Sequence, residues 1–290
     1  MNNIKAGDLV TRKSYGEDIL FKVEEVFNNQ GKEVALLKGV DLRLYADAPV
    51  NDLERKTPSE ISSFRHTFIK QNSETMKRIF QRRLKDRENY LSRGPEKKQA
   101  AVEHFEIPGS VLHLDGDKEY LDLCMTTYSQ LSIKAYGFSV PEHKQPQEVT
   151  KYLIQYKPDI LVMTGHDGLI KGKKNFSDIN NYRNSKYFVQ AVQKAREYEP
   201  GRDDLVIFAG ACQSHYEGLI DAGANFASSP QRVLIHAFDP VFIVEKVAYS
   251  SINEVVALKD VINNTITGLE GVGGIETRGR FRMGYPKSPY

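Results

Sequence analysis

Hydrophobic and polar positions change rhythm twice along the chain. Up to about residue 50, short runs rich in Val, Leu and Phe alternate with turn material: GDLVTR (7–12), ILFKVEEV (19–26), EVALLKGV (33–40) and LRLYAD (42–47), separated by YGED (15–18) and NNQG (28–31). Short strands at this spacing predict a small SH3- or Tudor-like β-barrel over residues 1–53. From 54 to 106 the rhythm becomes helical. Ile61, Phe64 and Phe68 form one apolar stripe, and Met76, Ile79, Phe80, Leu84 and Leu91 form the next. Ser59 offers a cap at the start, and Gly94-Pro95 offers a stop at the end. Residues 54–100 hold 13 basic against 6 acidic side chains. That excess suits either the solvated face of a helical hairpin or contact with an acidic partner.

From 107 to 290 continuous apolar runs alternate with amphipathic segments. SVLHL (110–114), IKAYGFSV (133–140), DILVMTG (159–165), DLVIFAGA (204–211) and RVLIHAF (232–238) read as buried strands. Helices are expected around Leu121, Cys124, Tyr128 and Leu131, and at 147–156, 184–198 and 215–224. The fold class is therefore α/β, a mostly parallel sheet covered by helices on both faces. The Gly-rich end, 268–284, reads as an irregular tail or closing loop.

Composition narrows the chemistry. In 290 residues the net charge is only +2, so no overall field selects nucleic acid or a membrane surface. The two cysteines, 124 and 212, make neither a disulfide framework nor a zinc site. No apolar run has membrane-spanning length and the N-terminus lacks a signal core, so a reducing cytoplasmic setting is expected. No cofactor or metal is implied.

In open α/β sheets, sites form beyond the carboxyl ends of the strands. Two strands here end on reactive side chains: DILVMTG runs into His166, and DLVIFAGA runs into Cys212. An intervening crossover brings both to one edge, where a thiol nucleophile and an imidazole can work together. The helix after Cys212 would favour the thiolate through its N-terminal dipole. His215 and His236 compete with His166 as bases, and Cys124 reads as core. Three function classes follow: a cysteine endopeptidase, another thiol hydrolase or acyltransferase on a flavodoxin-like sheet with His downstream of Cys, or a non-enzymatic scaffold.

The motifs Thr164-Gly165-His166-Asp167-Gly168 and Gly210-Ala211-Cys212-Gln213 resemble those of the caspase, legumain, gingipain and clostripain group of cysteine peptidases. With the N-terminal strands and the segment FAGACQSHYEGLIDAGANFASSP, the whole chain resembles the YabG family of sporulation-specific proteases. The resemblance implies a caspase-like sheet, a His166–Cys212 dyad and cleavage after Arg. It also implies spore coat and morphogenetic proteins as substrates, in the mother cell and spore coat. In the wider group Gly usually follows the His directly; here Asp167 intervenes, so the Cys212 amide is expected as one oxyanion donor and the amide of Gly168 or Asp167 as the other. An arginine pocket needs an acid, and Asp115, Asp117 and Asp239 are the candidates. A protease that cuts after Arg also meets Arg82, Arg83, Arg87 and Arg93 in its own basic segment, and self-cleavage within 82–94 is expected, above all after Arg93.

Overall fold

The computed structural model describes residues 4–92 and 104–288. The chain opens with five antiparallel strands: β1 (Leu9–Arg12), β2 (Phe21–Asn29), β3 (Lys32–Gly39), β4 (Tyr45–Pro49) and β5 (Leu53–Arg55), ordered β4-β3-β2-β1-β5. Alternate positions face inward, so Val10, Phe21, Val23, Ala35, Leu37 and Ala48 form one small core. The run LRLYAD differs from its expected form. The strand begins only at Tyr45, because Leu42-Arg43-Leu44 leave the sheet to dock elsewhere. β5, which the sequence pattern did not single out, closes the order beside β1.

A single helix follows, α1 (Pro58–Ser92), in place of a hairpin. Its cap is Thr57, not Ser59. The Thr57 amide and hydroxyl donate to the Glu60 carboxylate and the Glu60 amide donates back to the Thr57 hydroxyl, a capping box with proline at the first helical position. Ile79 is fully buried, with Phe68 and Met76 packed against the same core. The expected stop at Gly94-Pro95 lies outside the described residues. The basic side chains do find an acid, but within the chain: Arg82 and Arg83 both grip the buried Glu245.

The second sheet carries His166 and Cys212 just beyond its strand ends. Its strands are β7 (Val111–Asp115), β8 (Ala135–Ser139), β9 (Ile160–Thr164), β10 (Val206–Ala209), β11 (Phe226–Ser228) and β13 (Val272–Gly274), in the order β13-β11-β10-β9-β7-β8. All neighbours are parallel except β13, which runs antiparallel to β11. One core packs one face of the sheet against α2 (Lys118–Gln130), α6 (Asp239–Ala248), α7 (Leu258–Asn264) and Ile79 of α1. Another packs the opposite face against α3 (Gln145–Tyr156), α4 (Ser185–Tyr198) and α5 (Tyr216–Ala222). Strands buried on both faces explain the continuous apolar runs. Two small ladders, β6 (Phe105–Ile107) with β15 (Arg282–Gly284) and β12 (Val255–Val256) with β14 (Thr277–Arg278), tie down the C-terminal end.

Two expectations fail here. RVLIHAF is not a strand of the sheet. β11 takes that place, and 232–235 pass outside the sheet without regular structure before α6, with Arg232 at a φ of +55°. The Gly-rich end is not an irregular tail either, since β13 completes the sheet. Gly274 permits it: a Cβ there would sit 2.4 Å from the Asn225 carbonyl oxygen.

Candidate active site

The sheet register brings the two reactive strand ends side by side. Met163 of β9 pairs with Ala209 of β10, and His166 and Cys212 each lie three residues further on. Gly210 makes the exit from β10 possible. Its φ is +109°, and a Cβ would meet the Ser228 hydroxyl at 2.6 Å. That is the physical reason for the run of small residues before Cys212.

His166 is held from several sides. Its Nε2 lies 2.8 Å from Asp117 Oδ2. Asp117 is itself fixed: it caps α2 through the Glu119 and Tyr120 amides and pairs with Lys38 at 2.8 Å. Burial alone would raise the Asp117 pKa, but His166 and Lys38 hold it well below the usual carboxylate range. An ionised Asp117 keeps the imidazole hydrogen on Nε2. Nδ1 is buried without a hydrogen-bond partner. The ring packs edge-on against Tyr45, 4.3 Å between centroids, and against Tyr120. The His166 amide donates to Glu142 Oε1 at 2.7 Å. Glu142 needs the bare backbones of Gly116 and Gly165, where a Cβ would approach its carboxylate to 2.2 and 2.3 Å.

Asp167 joins the two loops. Its carboxylate accepts from the Gly168 amide (2.9 Å), the Asn184 amide (2.8 Å), the Ser214 hydroxyl (2.8 Å) and the Ser185 hydroxyl. Ser214 also accepts from the Ala211 amide at 2.9 Å, so one carboxylate braces the backbone on both sides of the site. Burial pushes the Asp167 pKa up, against the pull of these donors.

Cys212 is 1% exposed. Burial is the main influence on its thiol and pushes the pKa up to about 12; the backbones of Ile235 and Arg43 and the Arg43 charge act in the opposite sense. The Ile235 amide donates to Sγ at 3.2 Å. α5 begins four residues later, and His215 Nδ1 caps it by accepting from the Gly218 amide. The amide that reaches the Cys212 sulfur is thus that of Ile235.

Asp115 ends β7 at the same edge and is completely buried. Its Oδ2 binds Arg43 Nη1 at 2.6 Å and accepts from the Thr164 hydroxyl at 2.8 Å, while Oδ1 accepts from the Asp117 amide. Burial would raise its pKa, but Arg43 and then His113 hold it far below the usual range. Arg43 Nη2 donates to Cys124 Sγ at 3.3 Å, and its guanidinium stands over the Tyr120 ring. Cys124 is core, as expected, and also floors this pocket. Burial pushes its thiol up to about 12.

The other candidates are drawn into structural work. Asp117 orients His166 and does not reach Arg43's pocket. Asp239 begins α6 fully buried, accepting from the His236, Ile266 and Thr267 amides and the Thr267 hydroxyl. The Gly168 amide is engaged by Asp167. Both ring nitrogens of His215 are occupied, by the Gly218 amide and the Ser177 carbonyl (3.2 Å). His236 stacks on Phe68 with centroids 5.2 Å apart, and burial drops its pKa to about 4. Sequence reasoning missed Glu142, Tyr45, the Ile235 amide and Arg43. The first three act through backbone or packing. Leu42-Arg43-Leu44 alternates as a strand would, which hides its role.

Among the described residues, no helix is long and apolar enough to cross a membrane, and no cluster of His, Cys, Asp and Glu has the arrangement of a metal site. The sequence profile of the YabG peptidase U57 family matches residues 5–286. The sporulation-specific protease YabG of Bacillus subtilis (strain 168) is 43% identical over 283 residues, 97% of each chain. The chain belongs to the YabG peptidase U57 family.

Proposed function

We propose that this peptidase is a cysteine endopeptidase that cleaves after arginine, with Cys212 as nucleophile, His166 as general base and acid, and Asp115 as the pocket acid. The observation that carries the reading is the placement of His166. Asp117 engages Nε2, and Nδ1 is left buried without a hydrogen-bond partner at the strand end that neighbours the one bearing Cys212. In the first step Sγ attacks the scissile carbonyl carbon as the thiol proton passes to Nδ1. The carbonyl oxygen becomes an oxyanion, for which the Cys212 amide is the proposed donor. Collapse breaks the C–N bond, His166 returns its proton to the leaving amine, and a thioester remains. Water then attacks that thioester with His166 as base, freeing the acid and restoring the thiol.

A thiol held at about 12 is a poor nucleophile on its own, so proton removal by His166 as attack begins is what the mechanism requires. The arginine preference is supported by Asp115, which already carries a guanidinium at 2.6 Å in a fully buried setting. A buried guanidinium is tolerated only when it is paired.

The finer fold reading also belongs here. Three regions, 1–53, 54–106 and 107–290, are taken as an SH3-like barrel, a basic helical linker and a caspase-like peptidase domain. The relative's name places it in sporulation. By that likeness we assign protein substrates of the spore coat, a mother-cell and coat location, and cleavage in trans. Self-cleavage after Arg82 or Arg83 is disfavoured, because both sit in α1 and bind Glu245; Arg93 lies outside the described residues.

A peptidyl-arginine chloromethylketone tests the reading. It should alkylate Cys212 and leave Cys124 free, as mapped by peptide mass spectrometry. Exclusive modification of Cys124, or an equal reaction with a norleucine analogue, would count against it.

A further inference from the structure

The arginine in the Asp115 pocket belongs to the N-terminal sheet. Arg43 lies in the connection between β3 and β4, 72 residues before its partner, and both side chains have no solvent exposure. The loop around it lies on the chemical edge of the second sheet. Leu42 forms an antiparallel bridge with His236, and the Ala237 amide donates to the Asp41 carbonyl at 3.1 Å. This single bridge uses the kind of main-chain bonding by which an extended peptide is held while one side chain fills a pocket. The same segment supplies Ile235, whose amide reaches the Cys212 sulfur. Tyr120 Oη donates to the Leu42 carbonyl at 2.7 Å and to the Gly39 carbonyl. The loop therefore covers the thiol, pairs with the edge beside it, and fills the pocket that selects arginine.

Beyond Arg43 the resemblance to a substrate stops. The Leu44 amide turns back to the Leu42 carbonyl at 2.7 Å, a tight three-residue turn about Arg43, and the Gly39 amide closes the loop on the Leu44 carbonyl at 2.8 Å. A scissile bond must run extended across the nucleophile; this one curls away. The fit of the guanidinium is also incomplete, since Arg43 Nε is buried without a partner.

We propose that the 39–44 loop is a built-in occupant of the substrate groove, with Arg43 standing in for the substrate's arginine, and that the loop must withdraw before a protein substrate can bind. The proposal rests on the reading of Asp115 as the arginine pocket and Cys212 as the nucleophile. It assigns the backbone of Ile235, His236 and Ala237 as the edge that receives the substrate strand. Withdrawal leaves the rest of the N-terminal sheet intact, because β3 and β4 pair over 34–38 without the loop. Other ties hold outside the loop: the buried Lys38–Asp117 pair, the exposed Glu119 bound by Lys38 and Lys22, and Tyr45 against the His166 ring.

The test uses the full chain and Arg43→Met, which keeps the length and apolar stem of the side chain but loses the charge. Iodoacetamide labelling of Cys212 reports access without needing catalysis. A peptidyl-arginine amide reports turnover. The proposal predicts at least ~10-fold faster labelling and a lower KM in Arg43→Met. A variant with wild-type circular dichroism and wild-type labelling rate overturns it. Faster labelling with no turnover in either protein sustains the occlusion and instead removes the peptidase assignment of Cys212. Should Arg43→Met fail to fold, hydrogen–deuterium exchange on the wild-type chain decides. Alkylation of Cys212 by the peptidyl-arginine chloromethylketone must be accompanied by faster exchange of the 40–45 amides. Full alkylation with those amides still protected overturns the proposal.

Discussion

Two arginine contacts with buried carboxylates join the N-terminal half of this chain to the α/β half, and they do different things. At one, Arg82 and Arg83 of α1 converge on Glu245 of α6, with Asn264 as a further donor to the same carboxylate. Arg83 also donates to the Leu131 carbonyl and lies flat on Tyr249, 3.3 Å from the ring centroid. At the other, Arg43 meets Asp115. The distances are alike, 2.6–2.7 Å at one and 2.6 Å at the other. The neighbours are not. Around Glu245 stand an amide, a carbonyl and an aromatic ring, and nothing that reacts. Around Asp115 stand His113, Thr164 and Cys124, with Asp117 two residues on and His166 bound to Asp117. The comparison teaches that a buried ion pair is not informative by itself. Its place in the topology is, and only the Arg43 pair lies at the carboxyl ends of the parallel strands.

The sharpest way to break this contrast is to remove His166. His166→Ala should lower turnover ~100- to 10,000-fold with the fold retained, since that is the span of acid–base help. Glu245→Gln should leave turnover per folded molecule unchanged. His215→Ala and His236→Ala should fall close to Glu245→Gln; steady-state rates on an arginine amide, normalised to folded protein, check all four. If His215→Ala is the crippling change, the pairing of His166 with Cys212 is wrong.

The next largest effect separates the two acids by selectivity. In an Arg43→Met background, Asp115→Asn should cost the arginine substrate about 2–5 kcal/mol, at least ~30-fold in kcat/KM, because a buried charge pair loses one member. A substrate with an uncharged residue at that position should be little affected. Unchanged preference for arginine would move the pocket elsewhere.

Glu245→Gln should show its effect in stability instead. It leaves two partly buried arginines without their anion, a loss of about 3–5 kcal/mol when a buried pair is broken, read as a lower urea midpoint. An unaltered midpoint would demote the α1 contact to a surface feature.

The smallest expected effect concerns pH and the segment beneath the Arg43 loop. Burial, helped by the Arg43 charge, lowers the His236 pKa to about 4 from 6.5. A histidine whose folded pKa is depressed is neutral in both states above 6.5. As pH falls from there toward 4 the unfolded chain takes up the proton first, and the fold loses up to about 3 kcal/mol. His236→Phe, which keeps the stacking on Phe68, should flatten urea stability between those two pH values. A curve with unchanged slope contradicts this.

Much of this was legible in the sequence. The parallel sheet follows from apolar strands buried on both faces. The neighbouring places of His166 and Cys212 follow from strands that end on reactive residues. Asp115 was marked by the end of SVLHL. What was not legible depends on docking between distant segments. RVLIHAF carries the β-branched composition of a strand, yet its backbone serves the loop and Cys212 rather than the sheet. Asp117 sits in Asp-Gly-Asp, good turn chemistry, and nothing local says that its carboxylate turns to a histidine 49 residues on. Asp239 looked like a pocket acid because it follows an apolar run, but its four donors are backbone and hydroxyl groups brought in by α6 and the 266–267 turn. Arg43 is the extreme case, since only the packing of one region on the other reveals that it is buried.

The most direct measurement compares wild-type chain with Cys212→Ala on an unstructured protein substrate, sequencing the residue before every new cut. The account predicts cuts after arginine by the wild type and none by a Cys212→Ala protein of unchanged circular dichroism. The same cuts made by the folded Cys212→Ala protein would contradict it.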